Sequence, residues 1–187
     1  MRAQVFLCLS VLGWCCSAAA QDLSLELSLG ATLGTGWYDW DYRWYPDDTK
    51  ISTIHGMDAS VGATVRWGVS TAAPGPALVL MAQGDLLSMN THLERFLVSD
   101  AAAVLGMRLP LAAGYLTGAG LFGLAFAATD VRGPGMTVGG CVIYKLGYLF
   151  IEARYQAFAF QIVTPVPSLE GIDMTLHQLI VSVGASM

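Results

Sequence analysis

LSLELSLGATL, residues 23–33, alternates without a break. Leu23, Leu25, Leu27, Leu29, Ala31 and Leu33 interleave with Ser24, Glu26, Ser28, Gly30 and Thr32. Successive side chains of an extended chain point to opposite faces, so a period of two writes one apolar and one polar face onto a β-strand. A helix would scatter the same leucines around its circumference. The pattern returns in 57–67, where Met57, Ala59, Val61, Ala63, Val65 and Trp67 alternate with Asp58, Ser60, Gly62, Thr64 and Arg66. At the C-terminal end Leu179, Val181, Val183, Ala185 and Met187 share one face. Gln178, Ser182, Gly184 and Ser186 share the other, interrupted by Ile180. Within 148–161, Glu152, Arg154 and Gln156 oppose Ile151, Ala153, Tyr155 and Ala157. Weaker alternation marks 77–88, 99–109, 114–126 and 136–145. The expectation is eight strands, each long enough to cross a bilayer when tilted, which takes about 9–11 residues.

Connection lengths alternate as well. The segments near 70–76, 110–113 and 145–147 are short, and those near 34–54, 89–98, 127–135 and 161–172 are long. Short turns at one rim and long loops at the other are expected of a membrane barrel with both termini on the periplasmic side. Pro74, Pro76, Pro110, Pro134, Pro165 and Pro167 fall in or at the ends of these connections, where a missing N–H breaks no ladder.

The bulk numbers agree. Of the 187 residues 55% are hydrophobic and 12% charged, and a mean hydropathy of +0.56 is high for a protein bathed in water. A net charge of -5 without any run of Lys or Arg excludes a nucleic-acid footprint. In hydrocarbon a sheet cannot leave an edge, because every unpaired backbone group there costs several kcal/mol. The predicted fold is therefore all-β, an eight-stranded antiparallel up-and-down transmembrane β-barrel. Parity then sends Glu26, Asp58, Arg66, Asp85, Asp100, Arg108, Lys145, Glu152 and Arg154 to the lumen. An eight-stranded barrel is just wide enough for side chains to fill, so these charges are expected to pair as a plug, against the alternative of a narrow gated path. Trp67, Tyr144 and Phe126 take the lipid parity near strand ends, as interfacial aromatics do.

Residues 1–20 read as a cleavable signal peptide: Arg2, an apolar run from Val5 to Trp14, then Ala18-Ala19-Ala20 before Gln21. Lipoprotein processing at Cys15 or Cys16 is the alternative, and the bulky Trp14 fits it poorly. The barrel is then 21–187, with eight basic against 14 acidic residues and Cys141 as its lone cysteine, so no internal disulfide is expected.

Two features point elsewhere. Leu109 to Thr129 is 21 residues without a charge, long enough for a transmembrane helix. Its glycines and Pro110 speak against that, and one helix would leave the alternating runs unexplained. Gly118-Ala-Gly120-Leu-Phe-Gly123 matches a dinucleotide-binding glycine pattern but lacks the βαβ context that would give it meaning. No cofactor is expected.

The first long loop is crowded with Trp37, Tyr38, Trp40, Tyr42, Trp44 and Tyr45, interleaved with Asp39, Asp41 and Arg43. Tyr38, Trp40, Tyr42 and Trp44 would share a face if extended, and Pro46-Asp47-Asp48 looks like a turn. Two readings stand: a hairpin extended into the headgroup layer, or a contact surface for a host partner or an apolar ligand.

Signal peptide, eight period-two strands and a strand reaching the C-terminus together resemble the small outer-membrane barrels of the OmpW and OmpA membrane-domain type. The resemblance implies insertion into outer-membrane lipid by an assembly machinery that reads the last strand. That strand usually ends in an aromatic residue in this group; here Met187 stands there, which suggests a lineage such as a spirochaete beside the Gram-negative type. An OmpW-like role implies passage of small hydrophobic molecules, and an OmpA-like or adhesin-like role implies binding through loops. An enzyme of the lipid A-modifying kind is the third class. His177 and His55 lie near the outer ends of their strands, but neither is followed two residues later by Ser, and with His92 they make no metal motif. The expectation is that the protein is not an enzyme.

Overall fold

The structure, a computed structural model, describes residues 23–44, 49–71, 75–90, 95–127, 134–162 and 172–187. The expected leader, 1–20, and Tyr45, Pro46-Asp47-Asp48, Pro74, His92, Pro165 and Pro167 lie outside them. Eight strands follow in order: β1 (Leu23–Trp44), β2 (Thr49–Thr71), β3 (Ala77–Asn90), β4 (Arg95–Leu111), β5 (Gly114–Ala127), β6 (Pro134–Leu146), β7 (Leu149–Ile162) and β8 (Ile172–Ser186). Each pairs antiparallel with its neighbours, and β1 pairs with β8, so the sheet closes into a barrel with no free edge. At the seam Leu27 and Met187 exchange backbone hydrogen bonds of 3.0 and 2.8 Å.

Burial follows the sequence alternation. On β1 Glu26, Ser28 and Thr32 are buried while Leu25, Leu27, Leu29 and Leu33 are exposed, and each later strand repeats the division. Leu105, Phe122, Val138, Ile151 and Leu179 are more than half exposed or close to it, all on the outer wall. The outer wall is thus a continuous apolar band, and the buried polar and charged side chains face inward together with further apolar ones. Trp67 and Phe126 stand on that wall, and Tyr144 is half-buried.

Leu109–Thr129 is not a helix. Its described part is the end of β4, a turn at residues 112–113 and β5, with Gly118, Gly120 and Gly123 inside one strand. Among the described residues no helix is long and apolar enough to cross a membrane. Pro110 lies one residue from the end of β4 and Pro134 opens β6, both positions where a missing donor is tolerated. At the two-residue turn between β6 and β7, Gly147 has φ +59°, a conformation that favours glycine.

The span 34–54 differs from expectation. It is largely strand: β1 and β2 stay paired up to Trp44↔Thr49, 22 and 23 residues long, whereas the others have 13 to 17. A register shift between Gly34 and Gly36 gives β2 one extra residue there, the signature of a β-bulge. β1 continues to pair with β8 as far as Asp41↔Asp173, while the β2–β3 register begins only at Ser60↔Met89. The first hairpin therefore outruns the rim on the β3 side.

Candidate functional site

The lumen is layered, and the layers follow from where each strand switches residue type along its inward parity. Nearest the short turns, Glu26 on β1 meets Arg108 on β4 and Lys145 on β6, the latter at 3.1 Å. Ser186 donates to Glu26 Oε1 (3.0 Å) and accepts from Lys145 Nζ (2.8 Å), and Arg108 donates to Ser70 Oγ (3.0 Å). Above this comes an apolar layer containing Val79, Met81, Val104, Leu121, Ile143 and Phe150, with the free thiol of Cys141 among them. The void between these two layers is about 10 Å³, at the lower limit for a single water.

The third layer is polar and almost fully buried. Arg154 on β7 forks onto both oxygens of Asp85 on β3 at 2.9 and 3.0 Å, a bidentate pair whose side chains are 0% and 1% exposed. Arg66 pairs with Glu152, donates to Gln83 Oε1 at 2.7 Å and lies over the Phe150 ring. Gln83 donates to Asp85 (2.7 Å), and Gln156 donates to Asp100 and to Thr137 Oγ1 (2.8 Å). Asp85 and Asp100 are direct cross-strand partners, an arrangement that like charges make unfavourable. The Asp85 amide donating to Asp100 Oδ1 (3.0 Å) and the Arg154 fork offset the repulsion.

Toward the long connections the lumen becomes apolar again: Tyr38, Leu87, Met89, Val98, Phe158, Phe160, Met174, Leu176 and Ile180 pack together. Ile180, the interruption in the polar face of the last strand, belongs to this cluster. Among the described residues four acids, Glu26, Asp85, Asp100 and Glu152, face four bases, Arg66, Arg108, Lys145 and Arg154. The lumen side chains of the expected charge set thus meet one another in two layers. Asp58 stands at the bulge, and its side chain lies outside those described.

The aromatic set of the first hairpin is divided. Tyr38 is 1% exposed and lies inside the barrel, because residue 38 keeps the inward parity of Glu26 and Thr32. It does not belong to an outer contact face. Trp37 is on the outer wall, stacked on His177 with ring centroids 5.0 Å apart. The side chains of Trp40, Tyr42 and Trp44 lie outside those described.

His177 is outward-facing, as its parity required, and it is not alone. The Tyr155 hydroxyl lies 2.7 Å from Nδ1, and Asp39 Oδ2 lies 3.4 Å from Nε2. Both ring nitrogens thus face other groups. His55 stands in register opposite Tyr38, a strand away from His177. Among the described residues no cluster of His, Cys, Asp and Glu could hold a metal.

Sequence reasoning missed the apolar outer half of the lumen, the glutamines that bridge the buried charges, and the cluster around His177. The first was marked: Asp85 is followed on the same parity by Leu87 and Met89, and Arg154 and Gln156 by Phe158 and Phe160. The last had no local signal, since its members come from β1, β7 and β8.

No protein-family model matches the chain, and no curated protein matches it. Solved structures of similar fold include Ail, the attachment invasion locus protein of Yersinia pestis, in complex with the heparin analogue sucrose octasulfate. It is 8% identical, with 85% of this chain and 99% of that chain covered and a TM-score of 0.37. Neisserial surface protein A is 10% identical, with 87% and 99% covered and a TM-score of 0.43.

Proposed function

We propose that the chain is a sealed outer-membrane barrel that meets partners outside the cell through its extended first hairpin. The observation that carries this is the contrast between interior and rim. The lumen is filled and ion-paired in alternating layers, while β2 outruns β3, β1 stays paired with β8 as far as Asp41, and the hairpin carries Tyr42 and Trp44 beyond both. An outer wall studded with Leu, Val, Ile and Phe suits hydrocarbon and would be a severe aggregation liability in water. Export by the leader at 1–20, and recognition of the closing strand by an assembly machinery, belong to this reading. So does orientation with the short turns in the periplasm. The OmpW/OmpA-type assignment and a spirochaetal lineage stay part of the proposal.

The decisive experiment replaces residues 42–51 with a short turn. This range is narrower than the full 34–54 span, since Gly34–Asp41 pairs with β8 and Tyr38 fills the lumen. The expected result is a barrel that still shifts on unboiled gels but no longer binds host cells or surface glycans. Unaltered binding would remove the hairpin from the function.

The apolar outer half of the lumen favours a second reading, the OmpW-like passage of small hydrophobic molecules, with Phe158, Phe160, Met174 and Leu176 as the wetting-resistant mouth. The two readings part in planar bilayers and liposome swelling. The sealed barrel is expected to be silent to ions, sugars and apolar solutes alike, and flux confined to apolar solutes would establish the second. A lipid A-modifying activity is not proposed: His177 bonds to Tyr155 and faces Asp39, and Leu179 stands two residues on, where the deacylase pattern needs Ser. Mass spectra of lipid A are expected to be identical with and without the protein.

A further inference from the structure

Three outward rows cross the β1–β8–β7 wall in register: Leu33, Val181 and Ala153; Thr35, Leu179 and Tyr155; then Trp37, His177 and Ala157. The first two rows enclose a shallow apolar groove of about 620 Å³, floored by the backbone of β8 and kept open by the small Ala153 and Thr35. Rows lie two residues apart, so the groove and the row above it span roughly 13 Å along the strands at ~3.3 Å per residue. A comparable groove on the opposite wall, beside Trp67 and Ala101–Ala103, is lined by apolar side chains and by the backbone of Gln83. The β8 groove differs in ending on a fixed polar group. Trp37 stacks on His177, Tyr155 bonds to it, and Asp39 stands one row higher with its side chain 32% exposed.

We propose that this wall holds one lipid of the outer leaflet, an acyl chain lying in the groove over β8 and a primary-ammonium headgroup donating to Asp39 beside the Trp37 ring. The charge sets the headgroup. Asp39 is the acidic side chain of the cluster, so an anionic head is disfavoured beside it. A quaternary ammonium has no N–H to give, whereas a primary ammonium offers three donors and interacts favourably with an indole face. His177, held between Trp37 and Tyr155, positions the carboxylate and closes the top of the groove.

The inference rests on the membrane reading above, and its test separates the two. The protein is placed in phosphatidylcholine nanodiscs doped with phosphatidylethanolamine or phosphatidylglycerol of the same acyl chains, and lipids retained after detergent extraction are identified by native mass spectrometry. Phosphatidylethanolamine is expected to be retained over both others on the order of fivefold, as one exposed charge-assisted contact supplies. Asp39→Asn is expected to bring that ratio to about one, and Ala153→Trp to abolish retention while the gel shift of the folded barrel persists. Equal retention of all three lipids, preference for phosphatidylglycerol, or indifference to both variants overturns the site while leaving the barrel in the membrane. A protein that does not enter nanodiscs as a heat-modifiable barrel overturns both.

Discussion

Arg154→Met is expected to lower the unfolding free energy by about 3–5 kcal/mol, the cost of stranding a buried charge whose partner has been removed. The partner is Asp85, held by both guanidinium arms and itself fully buried. Without Arg154, Asp85 also faces Asp100 across the β3–β4 ladder with no cation between them. Methionine keeps most of the volume, so the loss reports charge and not a cavity. The double variant Arg154→Met, Asp85→Leu should recover most of the stability, because replacing both partners by apolar groups removes the desolvation cost together with the attraction. Urea titration of the barrel in vesicles, run as a double-mutant cycle, reads the coupling directly. A single-variant loss under about 1 kcal/mol would mean that the pair behaves as an exposed one. The polar layer would then be hydrated, and the sealed-lumen reading would lose its main support.

The same layer shows why the barrel was so legible. Strand parity is a local property, so the alternation from Leu23 to Leu33 already declares which side chains face in, and a closed antiparallel sheet carries that division around all eight strands. Charge parity worked for the same reason: Glu26, Arg66, Asp85, Asp100, Arg108, Glu152 and Arg154 had no inexpensive place except the lumen. Partner choice was not legible. Arg154 lies on β7 and Asp85 on β3, strands that never pair, and their contact depends on how the barrel's stagger sets heights across the lumen. The extent of the first hairpin was hidden for a different reason. Aromatic and acidic residues crowd 37–45 and resemble a decorated loop, yet a ladder needs only backbone groups, and the bulge at Gly34/Gly36 lets β2 take up its extra residue without ending the pairing.

Gly30 and Gly184 give the second large effect, and they respond differently to the same added methyl. They face each other across the β1–β8 seam, and the Phe150 ring lies over both. A Cβ on Gly30 would come 2.7 Å from Phe150 Cζ, with Val183 O at 3.1 Å and Thr64 Cγ2 at 3.2 Å, so its main obstacle is the end of one side chain. A Cβ on Gly184 would come 2.1 Å from the Leu29 carbonyl oxygen and 2.5 Å from Gly30 Cα, which are backbone of the partner strand. Gly30→Ala is therefore expected to cost about 1–3 kcal/mol, as overpacking does, and Phe150→Leu in the same chain should recover part of it. Gly184→Ala has no such remedy. The seam must open for the methyl to fit, and opening it exposes unpaired backbone to hydrocarbon at several kcal/mol per group. Most of the Gly184→Ala protein is expected to fail to form the heat-modifiable band, with or without Phe150→Leu, whereas Ala185→Val one residue away on the outer wall should assemble normally. Rescue of Gly184→Ala by Phe150→Leu would place the constraint in the lumen packing instead of the seam.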